Sequence, residues 1–181
     1  ANHRENVEEA IAGDIIGIYD TGNYQIGDTL STRKETLFFE PLPTFPPELF
    51  ALVTPKDTMK AKQFQKGVSQ LAQEGAIQVY RNEYNEVIIG AVGQLQFEVF
   101  QYRLENEYNA KIRMDRLEFS LARWVHAEDF DTVKKILDSR TMLVFDHFDR
   151  PLILFANQFT LNYFAEKNPD IKLLEALDVK Q

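Results

Sequence analysis

Two hydrophobic rhythms alternate along this chain, and the switches between them mark its elements. "ELFALVTP" (Glu48–Pro55) is an apolar run of strand length. Asp57 is placed to cap a helix over 58–74, where Ala61, Phe64, Val68, Leu71 and Ala72 share one face and Gly75 ends the pattern. "AIQVYRN" and "EVIIGAV" read as a hairpin turning at 83–85. A helix over 94–108 and a strand in "AKIRMDRLEF" complete the order βαββαβ, the split βαβ of ferredoxin-like folds.

The order then recurs. "SLARWVHA" is a strand, and "DFDTVKKILDS" a helix with Phe130, Val133 and Leu137 on one face. "TMLVFDHF" and "RPLILFA" form a hairpin, "QFTLNYFAEK" a helix and "IKLLEAL" a closing strand. No similarity of sequence accompanies this recurrence, so the expectation is a repeated order of elements. The fold class is α+β, with two βαββαβ sets fused in one domain over 48–181.

The helix over 94–108 argues for fusion. At about 100° per residue, Leu95, Val99 and Tyr102 lie on one side and Phe97, Phe100, Leu104 and Tyr108 on the other. A surface helix has one apolar stripe. Two stripes predict cover on both sides, one by its own sheet and one by the C-terminal βαββαβ set.

Residues 1–40 follow the other rhythm. "DIIGIYD" (Asp14–Asp20) and "YQIGDTL" (Tyr24–Leu30) are two short strands around a "TGN" turn. Such a pair is too short to bury its own apolar face. It reads as the C-terminal part of a β-barrel whose earlier strands are missing, with open edges that exchange quickly or pair with a second copy. "PLPTFPP", residues 41–47, holds four prolines and is a stiff linker between domains.

Composition narrows the chemistry. Cysteine is absent, which excludes disulfides and thiolate catalysis. No apolar run approaches the ~20 residues of a membrane span, and no signal-peptide pattern is present. These features suit a cytoplasmic protein with no membrane partner. The net charge is -8, and residues 1–40 alone hold three basic and eight acidic residues. Any nucleic-acid contact would therefore be local.

The motif most suggestive of chemistry is Gly90-Ala91-Val92-Gly93, between a strand and a helix. A phosphate loop needs G-x-x-x-x-G-K-[ST], with Lys on the phosphates and a hydroxyl on Mg²⁺. Here Gln94 and Leu95 follow, so the glycines serve backbone geometry, Gly93 giving a tight turn with close packing. The histidines, His3, His126 and His147, have no partner at metal-ligand spacing, and "DHFD" around His147 falls on a turn. No catalytic, cofactor-binding or metal site is expected. Lys62 and Lys66, opposite the apolar face of the first helix, with Lys60 flanking them, and Arg81 at the hairpin tip "RNEYNE" are the candidate contact residues for RNA or an acidic partner. A solvated helix face explains the lysines equally well.

The longer motifs point to a family. "GAVGQLQFEVFQYRLENEYNA", followed by "LARWV", resembles the third domain of the bacterial peptide chain release factor 3 family of translational GTPases. "NHRENVEEAIAGDIIGIYDTGNYQIGDTL" resembles the end of that family's β-barrel second domain, and "PDIKLLE" its C-terminus. The resemblance covers essentially the whole chain. "GQLQFEVFQYRL" bears a weaker likeness to the third domain of translocation factor G. The resemblance implies the non-catalytic C-terminal portion of a GTP-dependent termination factor that promotes release of class I release factors from the ribosome. It implies the ribosome as partner, together with the chain's own G domain and barrel. GTP and Mg²⁺ belong to that G domain, since neither a Walker loop nor an N-K-x-D motif occurs here. The alternative is a tandem ACT-like regulatory module, which has the same element order and binds an amino acid.

Overall fold

A computed structural model describes residues 5–20, 23–24, 28–32, 34 and 46–175. Strand β1 (Leu49–Pro55) leads through a 3-10 turn (Thr58–Lys60) into α1 (Ala61–Gln73). The hairpin β2 (Gln78–Asn82) and β3 (Val87–Ala91) follows, then α2 (Gln94–Glu107) and β4 (Ile112–Leu117). The second set is β5 (Leu121–Trp124), α3 (Phe130–Ile136), β6 (Thr141–Phe145), β7 (Pro151–Phe155) and α4 (Gln158–Lys167). Asp57 caps as its position predicts, its carboxylate accepting from the Met59 N–H at 2.9 Å. The closing strand expected in "IKLLEAL" is reduced, among the described residues, to one bridge between Leu174 and Trp124.

All seven strands form one antiparallel sheet in the order β4-β1-β3-β2-β6-β7-β5. With the Leu174 bridge beyond β5, each half has the same split βαβ order, and the halves meet through equivalent strands, β2 and β6. That seam is short, pairing only Arg81 with Phe145 and Asn82 with Val144.

The sheet is strongly curled. Its first and last strands, β4 and β5, are separated by residues 118–120 alone, so Leu117 and Leu121 lie at most about 14 Å apart. In a flat sheet, six strand spacings would hold β4 and β5 about 29 Å apart. Residues 112–124 therefore run as one bent segment, pairing with β1 through the first half and with β7 through the second.

Alternation along the strands sorts the core by layer. Ala51, Val53, Val87 and Ile89 face α1 and α2 and pack on Phe64, Leu71, Phe97, Phe100 and Leu104. Ile153 and Phe155 face α3 and α4 with Val133, Leu161 and Phe164. The opposite face has no helix over it, yet Phe50, Ile88, Val144, Leu152 and Leu154 are all 0% exposed. They pack with Tyr80, Trp124 and Met142 in a single cluster drawn from both halves. The curled sheet buries this face against itself. Gly90 faces this interior between Phe50 and Tyr80, and a Cβ there would come within 3.1 Å of the Tyr80 ring and 3.0 Å of Pro47.

Four expectations change. The two units are fused, but through the β2–β6 seam and the inner core, not through α2. The second stripe of α2 faces outward, with Leu95 and Tyr102 70% and 66% exposed. Gly93 is the N-cap of α2 in ordinary extended backbone, and nothing lies within 4 Å of a Cβ built on it. The close-packed glycine is Gly90. Finally, the described residues of the N-terminal hairpin, 14–20, 23–24 and 28–30, are in no strand. Ile15 and Tyr19 are 101% and 91% exposed, because these residues have no partner strand among the described ones. Residues 25–27, and 41–45 of the linker, lie outside the described residues.

The recurrence is also closer than the sequence suggested. Tyr80–Phe100 superimposes in role on Val144–Phe164 with a constant shift of 64 and no gap. Asn82 and Asp146 both accept from the backbone N–H groups two and four residues on. Asn85 and Asp149 both adopt positive φ, 59° and 58°. Gly93 and Asn157 are the N-caps, Phe97/Leu161 and Phe100/Phe164 are buried, and Leu95/Phe159 and Val99/Tyr163 are exposed. Only Ile89/Ile153, Gln94/Gln158 and Phe100/Phe164 are identical pairs, which is why this repeat does not declare itself in the sequence.

The two faces of α2 separate cleanly by mutation. Phe100→Ala should lower stability by about 3–5 kcal/mol, the range for a truncated core Phe. Leu95→Ala should stay within about 0.5 kcal/mol of wild type. Urea midpoints of the two variants check this, and a large cost for Leu95→Ala would show that the outer stripe is covered.

Candidate functional site

The lysine face of α1 is where its periodicity placed it. Phe64, Gly67, Val68 and Leu71 point into the core, and Lys62 and Lys66 are exposed on the opposite side. Lys60 is the N-cap of α1 and is half-buried. Arg81 is also half-buried, and its Nη2 donates to Oε1 of Gln65 at 2.7 Å. Gln65 lies on the same helical face as Lys62 and Lys66, so the structure joins Arg81 to that pair. Lys60 sits at the helix end, away from this contact. The first turn of α1 carries no acidic residue. Cations there oppose the helix dipole at a cost of a few tenths of a kcal/mol, so local stability does not account for them.

The helix that carries these lysines is held firmly. Gly67 is the point of closest approach to α2, where a Cβ would meet Leu104 at 2.6 Å and Tyr108 at 2.8 Å. One turn beyond Leu71, Arg103 donates to Glu74 at 2.6 Å and to Glu107 at 2.9 Å. That hydrogen bond from Arg103 holds the Glu74 carboxyl below the ordinary range, and both carboxylates push the guanidinium pKa up.

The hairpin tip at 81–86 is braced as well as polar. Asn82 Nδ2 donates to Glu86 at 2.9 Å, and Glu83 accepts from Lys134 of α3 at 2.8 Å. This ion pair ties the tip to the second half and raises the Lys134 pKa. The equivalent tip, 146–150, is saturated. Asp146 accepts from the N–H groups of Phe148 and Arg150, from Arg150 Nε at 2.8 Å and from Trp124 Nε1 at 2.8 Å. Its lone pairs are committed to the turn, and among the described residues no cluster of three His, Cys, Asp or Glu could hold a metal.

The loop before α2 is braced by a side chain in the same way. Gln96 Oε1 accepts from the N–H groups of Val92 and Gly93 at 2.7 and 3.2 Å. Sequence reasoning missed this use of Gln96, although a Gln three residues after an N-cap is a capping signal.

Comparison with known proteins now places the arrangement. Residues 39–165 match the family model described as Class II release factor RF3, C-terminal domain. The chain belongs to this release factor 3 family. It is 58% identical to Peptide chain release factor 3 of Enterococcus faecalis over 174 residues, 96% of this chain and 33% of that protein. It is 54% identical to Peptide chain release factor 3 of Streptococcus uberis over 178 residues, 98% of this chain and 34% of that protein. Peptide chain release factor 3 of Listeria monocytogenes serotype 4a is 56% identical over the same length. The chain thus spans about a third of the length of the curated relatives it matches. The fold described above is that of the release factor 3 C-terminal domain, and no helix among the described residues is long and apolar enough to cross a membrane.

The Glu74–Arg103 bond makes a pH prediction for the helix bearing the candidate site. Glu74 is depressed in the folded state, so its stabilisation is present above the ordinary carboxyl value, 4.5, and is lost as pH falls through the lower folded value. With its side chain 37% exposed, solvent screening limits the effect to about 1 kcal/mol or less. Glu74→Gln should therefore lower the urea midpoint near neutral pH and leave it close to wild type in strong acid. An equal deficit at both ends would assign the loss to packing.

Proposed function

We propose that this chain is the non-catalytic C-terminal portion of a GTP-dependent translation termination factor, acting in the cytoplasm. The whole factor promotes release of class I release factors from the ribosome. The observation that carries this reading is 54–58% identity to proteins named Peptide chain release factor 3 over 96–98% of the chain. On this reading residues 1–40 are the end of the barrel domain, 41–47 the linker and 48–181 the third domain. GTP and Mg²⁺ belong to a G domain elsewhere in the whole protein. That the Val92 and Gly93 amides of the glycine turn before α2 are bonded to Gln96 supports this reading.

The role of the domain is mechanical. A rigid scaffold braces the rest of the factor against the ribosome, and the contact is local because the chain is acidic overall. The proposed ribosome-facing residues are Lys60, Lys62, Lys66 and Arg81. Lys62, Lys66 and Arg81 form the connected part of that patch, pointing away from the core and suited to phosphate or an acidic protein surface. The ACT-like alternative shares the element order, but no observation favours it over the family assignment.

Reversing Lys62 and Lys66 to Glu in the full-length factor tests the patch. Both side chains are exposed, so stability should change by no more than about 0.5 kcal/mol, and nucleotide binding without ribosomes should be intact. Ribosome-dependent recycling of class I factors should slow. The deficit should be largest at low salt and shrink as salt rises, because screening weakens the wild-type attraction and the engineered repulsion alike. Wild-type recycling across the salt series would remove this patch from the mechanism.

A further inference from the structure

The outward face of α2 carries apolar side chains that the fold does not use. Leu95, Val99 and Tyr102, spaced i, i+4, i+7, form one line along the helix and are 70%, 45% and 66% exposed. Val92, just ahead of the helix, is exposed as well. Single exposed apolar side chains are ordinary, but a contiguous line about 10 Å long marks a surface that another molecule covers.

The charge framing this line is acidic. Glu98 and Glu105 lie along one edge. Glu98 is exposed with no ion-pair partner among the described residues, and Glu105 accepts from the neutral Gln101 at 3.3 Å. On the other edge Arg103 is shared between Glu107 and Glu74 of α1, which leaves that edge negative too. Arg116 of β4, at the N-terminal end, donates to Gln94 and lies 5.2 Å from the centre of the Phe97 ring. Four carboxylates therefore frame the line against two guanidiniums, both already engaged.

The internal repeat supplies a control within the molecule. α4 exposes Phe159 and Tyr163 at the places of Leu95 and Val99, but Asn162 stands at the place of Glu98. The only charges of α4, Glu166 and Lys167, cancel. An outward apolar pair is common to both halves, while the acidic frame belongs to α2.

We propose that the outer face of α2 is a docking surface for a basic polypeptide segment that presents apolar side chains. Those side chains cover Leu95, Val99 and Tyr102, and its lysines or arginines meet Glu98 and Glu105 on one edge and Glu74 and Glu107 on the other. The same carboxylates repel RNA phosphates, and a second copy of this face would set acid against acid. The charges are solvent-exposed, so they supply orientation and on-rate, and the apolar line supplies most of the affinity. The lysine face of α1 suits an acidic partner and the α2 line a basic one, so the two surfaces take different occupants.

The test is an amide chemical-shift titration of the labelled 181-residue chain with an amphipathic leucine–lysine peptide of about 14 residues, four helical turns. Two control peptides keep the length, one with glutamate for every lysine and one with alanine for every leucine. Saturable shifts are expected over 92–106 with the leucine–lysine peptide alone, and weaker ones or none over 158–166. Leu95→Ala with Tyr102→Ala removes two anchors, and Glu98→Lys with Glu105→Lys reverses one edge. Each double variant should bind about tenfold more weakly or worse, with the other amide signals in place as evidence of folding. Equal shifts with either control peptide, shifts centred on α4, unchanged affinity in either double variant, or no saturable shift up to about 1 mM peptide would overturn the assignment. Shifts over 92–106 with a uridine oligonucleotide would assign the face to RNA instead, and the same shifts on raising the protein concentration without peptide would assign it to a second copy; either result overturns the proposal.

Discussion

Three residues, 118–120, join the first and last strands of a seven-stranded sheet, and this short link sets the shape of the molecule. A flat sheet would hold those strands about twice as far apart as the link can reach. Curling brings the helix-free faces of both halves together, and a core of Phe50, Tyr80, Ile88, Val144, Leu152 and Leu154 forms between them. The β2–β6 seam has too few paired residues to do this alone. Each net hydrogen bond contributes about 1 kcal/mol, whereas each buried large apolar side chain contributes about 1.5–3 kcal/mol.

The inner face is therefore sealed, and interaction chemistry is confined to the outer layer of helices and the hairpin tips. Both tips use the same turn, anchored by Asn82 in one and Asp146 in the other. The helices then differ in how they are finished. In the first half α1 is long, locked to α2 and cationic on its outer face. In the second half α3 is short and leaves a cleft. A duplicated frame with divergent outer surfaces suits a domain whose contribution is contact rather than chemistry.

Much of this was legible in the sequence because local signals agreed with the fold. The element order, the Asp57 cap and the Phe64/Val68/Leu71 face all follow from period and capping. The failures have physical causes. Leu95 and Phe100 are equally apolar, and no pattern within one helix says which side meets the sheet. Gly93 looked like the constrained glycine because it starts a helix, but constraint at Gly90 comes from Pro47 and Tyr80, distant in sequence or on another strand. In the strands expected at 14–20 and 24–30 the described residues have suitable side chains yet join no ladder, since strand propensity acts only together with packing against a neighbouring strand. At the lysine patch the sequence supplied the residues, while the Arg81–Gln65 bond that groups them needed the β2–α1 packing.

The central claim is that both halves share one inner core and so unfold together. Urea unfolding of the chain can be followed in the second half by fluorescence of Trp124, the sole tryptophan, whose indole N–H donates to Asp146. It can be followed in the first half by the NMR signal of the Ile89 amide in β3. A shared core predicts coincident transitions with one midpoint and one slope. Two separated midpoints would show that the halves are independent units joined only by the chain, and would contradict the account.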